Sequence, residues 1–170
     1  MTSLVTHTIH DVDSDHGMLA IVPDRDDDYG PSPAIPVHGW FAASEHEIHI
    51  RVAQELVEQR LRFELWDGPP SPPSQPPEVE GNFLIDVPLG PMSIYQFAAG
   101  GIPDAFAVSP GRYSLRLSGY GRSITAQQAA RLQQQFRSAG LADPAFTAAR
   151  NQLAGQELYL AQLWPAETGR

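Results

Sequence analysis

The sequence predicts a mainly β fold: an antiparallel β-sandwich with a helical hairpin inserted before the last strand. Three observations carry that prediction. Apolar residues recur every second position in several short runs, which is the period of a half-buried strand. Proline and glycine punctuate those runs at short intervals, as in sandwiches. A single stretch, 125–154, changes to the helical period.

The elements follow in order. Met18-Leu19-Ala20-Ile21-Val22 is a short apolar run stopped by Pro23, suited to a buried strand. Residues 24–36 lose any apolar period and read as a loop, and Val37 to Ala42 as a second strand. In Glu45 to Val52, Ile48, Ile50 and Val52 share one face, while Glu47, His49 and Arg51 share a face expected to be solvated. Arg60 to Trp66 repeats the alternation with Leu61, Phe63 and Leu65 inward. Gly68 to Pro77 lacks the amide donors a ladder requires and is expected as an extended connector. Strand character resumes at Glu80–Val87, Ser93–Phe97 and Ala105–Val108, and again at Arg112–Ser118 after Ser109-Pro110-Gly111, which suits a type II turn.

Thr125 and Gln128 have the spacing of a capping box, opening a helix with Ala129, Leu132, Phe136 and Ala139 on one stripe and Gly140 as its stop. Asp143-Pro144 opens a second helix with Phe146, Ala149 and Leu153 on its apolar side, ended by Gly155. Glu157 to Trp164 is apolar on both faces, so it reads as a central strand covered on one side by the hairpin.

A chain of 170 residues with 42% apolar content is sized for one core, so residues 1–170 are expected as a single domain. Its net charge is −9, all basic residues are arginine, and there is no cysteine. The acidic balance argues against a nucleic-acid partner. The missing cysteine and lysine exclude disulfides, thiolate chemistry and Schiff-base catalysis. No apolar run is long enough to span a membrane and no basic, apolar leader opens the chain, so a cytoplasmic location is expected. Charge is polarised: −8 over residues 1–50, −3 over 51–120 and +2 over 121–170. All six histidines also fall within the first fifty residues.

Candidate sites follow from that polarity. His7, His10, Asp11, Asp13 and His16 form the most ligand-rich segment and could hold a divalent metal. The calcium-loop pattern fails, with His16 at its sixth position and Val22 at its twelfth. A polar N-terminal segment without a metal or other cofactor is the plainer expectation. Asp24, Asp26, Asp27 and Asp28 are candidate contacts for a partner with a basic surface. His46 and His49 fall on opposite strand faces and cannot chelate one ion, and His38 stands alone. Arg60, Arg62, Arg112 and Arg116 are expected to pair with carboxylates such as Glu47, Glu64 and Asp67 across strands. Trp40, Trp66 and Trp164 are expected as core or rim anchors. No nucleophile elbow or phosphate cradle is present.

The pattern Ser-Pro-Gly-Arg-Tyr-Ser-Leu-Arg-Leu at 109–117 and the terminal Glu-Leu-Tyr-Leu-Ala-Gln-Leu-Trp at 157–164 resemble small β-sandwich proteins of GC-rich bacteria. More distantly they are similar to the competence protein J nuclease inhibitors. The resemblance covers roughly residues 45–165, departs at the helical hairpin, and transfers no functional residue. From the −8 of residues 1–50 and the lack of a catalytic constellation, the expected function is non-catalytic: binding of another protein, as an immunity protein or inhibitor for a basic toxin or nuclease. The alternatives are a metal-dependent protein using the N-terminal cluster and a ligand- or carbohydrate-binding sandwich using exposed aromatics. An apolar last strand and a proline-rich connector could together leave an edge that pairs across a two-fold axis in a homodimer.

Overall fold

A computed structural model describes the chain except residues 1, 27–32, 34, 37–38, 98–99, 139–141 and 167–170. In chain order the elements are β1 (Leu4–Val12), β2 (Met18–Pro23), β3 (Phe41–Ala43), β4 (Ile48–Arg51), β5 (Gln59–Trp66), β6 (Val79–Val87), β7 (Pro91–Tyr95), β8 (Gly101–Ala107) and β9 (Gly111–Tyr120). The helices α1 (Arg122–Gln135) and α2 (Pro144–Leu153) follow, then β10 (Leu158–Pro165). The strands form two five-stranded sheets, ordered β1-β5-β10-β9-β6 and β3-β4-β2-β7-β8.

Alternation decides which residues meet between the sheets. Leu61, Phe63, Leu115, Leu117 and Tyr159 of the first sheet are buried against Leu19, Ile21, Ile48, Ile50 and Met92 of the second. The open sides of the sandwich are closed by specific contacts. On one side the His10 ring donates to the Ala105 carbonyl at 2.7 Å. On the other, the Asp86 amide donates to Glu45 O at 2.8 Å and Phe41 packs on Phe83. Edge strands sealed in this way offer little for aggregation.

The structure departs from the sequence reading in several places. Residues 4–12 form an edge strand where a polar N-terminal segment or hairpin tip was expected, with Thr8, His10 and Val12 turned inward. The first sheet is not wholly antiparallel, because β10 runs parallel to β5. Pairing of β10 with β9, and of β9 with β6, is antiparallel, so β6 is also parallel to β5. Helix α1 begins at Arg122 rather than at a Thr125 cap; Gly121, with φ 66°, is the N-cap. A Cβ there would lie 2.2 Å from Gln156 O, so the tight approach of helix and β10 requires glycine. Thr125 is instead buried one turn into the helix. Asp143 caps α2 as expected, accepting from Ala145 N at 2.8 Å. Ala139 and Gly140 lie outside the described residues.

The hairpin does not cover β10. Leu132, Phe146 and Leu153 pack with Val57, and Phe136 and Leu56 against them, so it rests on the loop that enters β5. Gly111 lacks the positive φ a type II turn needs and already belongs to β9, where the chain passes from one sheet to the other. Finally, β10 is interior to its sheet, which removes the edge on which a homodimer through the last strand was based.

Candidate functional site

The outer faces of the two sheets each carry a cleft, and they are built differently. On the first sheet the cleft is a consequence of topology. Parallel strands β5 and β6 require a crossover, and residues 67–78 supply it without a helix. The register places Val79 level with Leu61, three strands away. The crossover must span about 22 Å, whereas twelve residues in polyproline-type extension reach about 37 Å. The excess length bows the strap off the sheet.

Beneath it lies a cleft of about 590 Å³ lined by Trp66, Tyr120, Leu158, Leu160 and the strap's Pro72 and Pro73, among others. Its polar groups are mutually satisfied. The Glu64 carboxylate accepts from Arg62 at 2.8 Å, from the Trp66 indole at 2.9 Å and from Gln162 at 2.8 Å. Arg116 donates to Gln162 at 2.9 and 2.6 Å and to the strap carbonyl of Ser71 at 2.9 Å. This network holds the strap in place.

The second sheet presents a cleft of about 600 Å³ lined by Ala20, Val22, Pro33, Ile35, Glu47, His49, Tyr95 and Phe97. Because Ile48 and Ile50 point into the core, Glu47 and His49 must point outward. The pairing register sets Ala42, His49, Ala20, Tyr95 and Gly101 in one row across all five strands. Small residues flanking His49 leave a hollow in which the imidazole forms part of the floor. Phe97 leans over it from the β7–β8 turn, edge-on to His49 with ring centroids 5.4 Å apart. Its φ of 52° is the left-handed conformation that bulky side chains avoid, at a cost of roughly 1–2 kcal/mol. Such strain clusters at functional surfaces.

Burial and bonding disagree here. His49 is 5% exposed and Glu47 8%, which overturns the solvated face expected for them. Yet His49 Nδ1 has no hydrogen-bond partner. The nearest basic group to the Glu47 carboxylate among the described residues is His49 Nε2 at 3.6 Å, beyond a good hydrogen bond. Around these unmet acceptors the rim is apolar and open: Tyr95 is 45% exposed, Phe97 46% and Ile35 61%.

The acidic candidates precede Pro33 and Ile35 of this cleft in sequence, and none of those described lines it. Asp24 is fixed by Ser93, whose hydroxyl donates to it at 2.9 Å, and by its own amide on Pro91 O. Asp26 is exposed, while Asp27, Asp28 and His38 lie outside the described residues.

The N-terminal candidates are dispersed. His7 and Asp11 face outward on β1, His10 faces inward, Asp13 lies beside Glu58 and Arg150, and His16 is exposed in the turn before β2. Asp11 is engaged by Arg60 at 2.7 and 3.0 Å, and that hydrogen bond holds its carboxyl below the usual carboxylate range. Among the described residues no three histidine, aspartate or glutamate side chains form a metal-binding group. The arginines pair, though mostly with other partners than expected: Arg60 with Asp11, Arg112 with Glu45, and Arg62 with Glu64 on its own strand. Asp67 instead accepts from Ser3. All three tryptophans are half-buried, and Trp40 lies under the Arg122 guanidinium while stacking on Tyr159.

Among solved structures, that of ComJ, inhibitor of the DNA-degrading activity of NucA, from Bacillus subtilis, superposes with a TM-score of 0.57 over 98% of this chain and 99% of that one, at 12% identity. The likeness is one of fold. A second structure, described as crocagin biosynthetic gene J, matches with a TM-score of 0.50, 13% identity and coverage of 98% and 99%. No protein-family model and no curated protein matches the sequence. Within the described residues no helix is long and apolar enough to cross a membrane.

Proposed function

We propose that this protein works by binding rather than by catalysis, as an inhibitor or immunity protein that occupies a basic protein partner, a nuclease or toxin. The observation that carries the reading is the outer face of the second sheet, where the Glu47 carboxylate and a buried His49 Nδ1 without a hydrogen-bond partner lie inside an exposed aromatic rim. Aromatic anchors around a desolvated pocket are the usual energetic centre of a protein interface. The net charge of −9, concentrated in the first fifty residues, would steer a cationic partner toward this side of the sequence and suppress acidic ones. The full-length likeness in fold to ComJ, described as an inhibitor of a DNA-degrading activity, supports the same reading.

The test joins capture to inhibition. Immobilised protein is exposed to lysate of its native host at low and at physiological salt, and any captured protein is purified and assayed for nuclease or toxic activity with and without this chain. The reading expects a basic partner whose capture weakens with salt and whose activity falls on complex formation. A captured partner whose activity is untouched, or capture indifferent to salt, would refute it, as would recovery of no partner.

A further inference from the structure

We propose that the cleft on the second sheet is a receptor for a single arginine side chain of the basic partner, its guanidinium lying against Tyr95 and Phe97 and donating to the Glu47 carboxylate. The proposal deepens the inhibitor reading and rests on it for the identity of the occupant as a protein. It stands on the mismatch between burial and bonding.

A carboxylate that is nine-tenths buried is costly unless it is paired, and among the described residues the cation nearest Glu47 is an imidazole nitrogen at 3.6 Å. His49 Nδ1, in the same floor, is likewise buried without a hydrogen-bond partner. The two oxygens of a carboxylate call for an occupant with several donors. Around them Tyr95 and Phe97 supply aromatic surface for a cation.

Among protein side chains arginine meets all of these demands at once: a permanent charge, five donors in a planar fork, and faces that stack on rings. Lysine offers a compact, strongly hydrated charge and no flat surface. A divalent metal would find one carboxylate and one imidazole, too few for its coordination shell. Charge points the same way, since Asp24 and Asp26 follow Val22 of the cleft in sequence.

The experiment uses the full chain and N-acetylarginine amide as probe, with the neutral isostere N-acetylcitrulline amide as control. Imidazole and aromatic resonances are followed by NMR up to millimolar probe. Saturable shifts of His49, Tyr95 and Phe97 are expected with the arginine probe, and at least about tenfold weaker binding of the citrulline probe, the loss of a charge-assisted hydrogen bond. Glu47→Gln should weaken the arginine probe by a similar factor. Should that variant unfold, Tyr95→Leu serves in its place and should also weaken binding.

Equal binding of the two probes overturns the proposal, as do shifts confined to the acidic segment or the absence of saturable shifts. The two readings fail separately. Inhibition of a nuclease by a chain that ignores arginine sinks the receptor alone. Arginine binding by a chain whose captured partner keeps its activity sinks the inhibitor reading alone.

Discussion

The outer faces of the two sheets place a buried glutamate in similar positions and treat it in opposite ways. Glu64, on the first sheet, is 6% exposed and accepts from three donors on two strands. Glu47, on the second, is nearly as deeply buried, and among the described residues it has no comparable donor. The first cleft is roofed by a strap fastened through Arg116; the second is rimmed by exposed aromatics, one of them strained. A satisfied polar cluster fixes local architecture, and an unsatisfied one stores a demand that a second molecule can meet. The difference assigns structure to one face and recognition to the other.

The largest effect expected from breaking the comparison is on the structural face. Glu64→Ala leaves Arg62, the Trp66 indole and Gln162 without their shared acceptor, and should lower the unfolding free energy by about 2–4 kcal/mol. Chemical denaturation measures it. A loss no larger than that of an average surface substitution would show that the network is ornamental.

Next in size is an effect on binding alone. Tyr95→Ala truncates an exposed anchor at the rim of the second cleft and should weaken the inhibited partner's affinity by about 2 kcal/mol, roughly thirtyfold. Stability should change by no more than about 0.5 kcal/mol, because the ring is not part of the core. Calorimetry of the complex and a melting curve of the free protein separate the two. Smaller still, Glu47→Gln should leave the free chain as stable as before or raise it by up to about 1 kcal/mol, since it removes a buried charge lacking donors. The same change at position 64 should destabilise, so the pair of variants tests the comparison directly.

The sequence made the core legible more readily than the site. Strict alternation from Arg60 to Trp66 and from Arg112 to Ser118 marked Leu61, Phe63, Tyr113, Leu115 and Leu117, which are indeed buried, and Leu65, which is partly so, and the aspartate-proline pair announced α2. Strand β1 escaped notice because an edge strand buries only half a face: Thr8, His10 and Val12 turn inward, and two of these are polar. The crossover was legible as proline-rich but not as a strap, since its role depends on β5 and β6 running parallel, a property of pairing and not of composition. Parity correctly turned Glu47 and His49 away from the core. Their burial could not be read, because it arises from chain far away in sequence: Pro33, Ile35 and the turn that carries Phe97. Only the register reveals that alanines flank His49 and leave the hollow.

The smallest expected effect concerns a salt bridge at the edge of the structural face and its sign with pH. Asp11 on β1 is held by Arg60 through two hydrogen bonds, which lower the pKa of its carboxyl, and both side chains are 43% exposed. A carboxylate whose pKa is depressed by folding contributes stability that is present above its unfolded value, about 3.9, and is lost as pH falls through the folded one. Solvent screening limits that contribution to about 0–1 kcal/mol. Asp11→Asn should therefore cost at most this amount at neutral pH and nothing in strong acid, so that the stability curves of variant and parent converge as pH drops below about 4. High salt should shrink the neutral-pH gap as well. Curves that stay parallel down to strong acid would mean that Asp11 acts through packing of the edge strand and not through its charge.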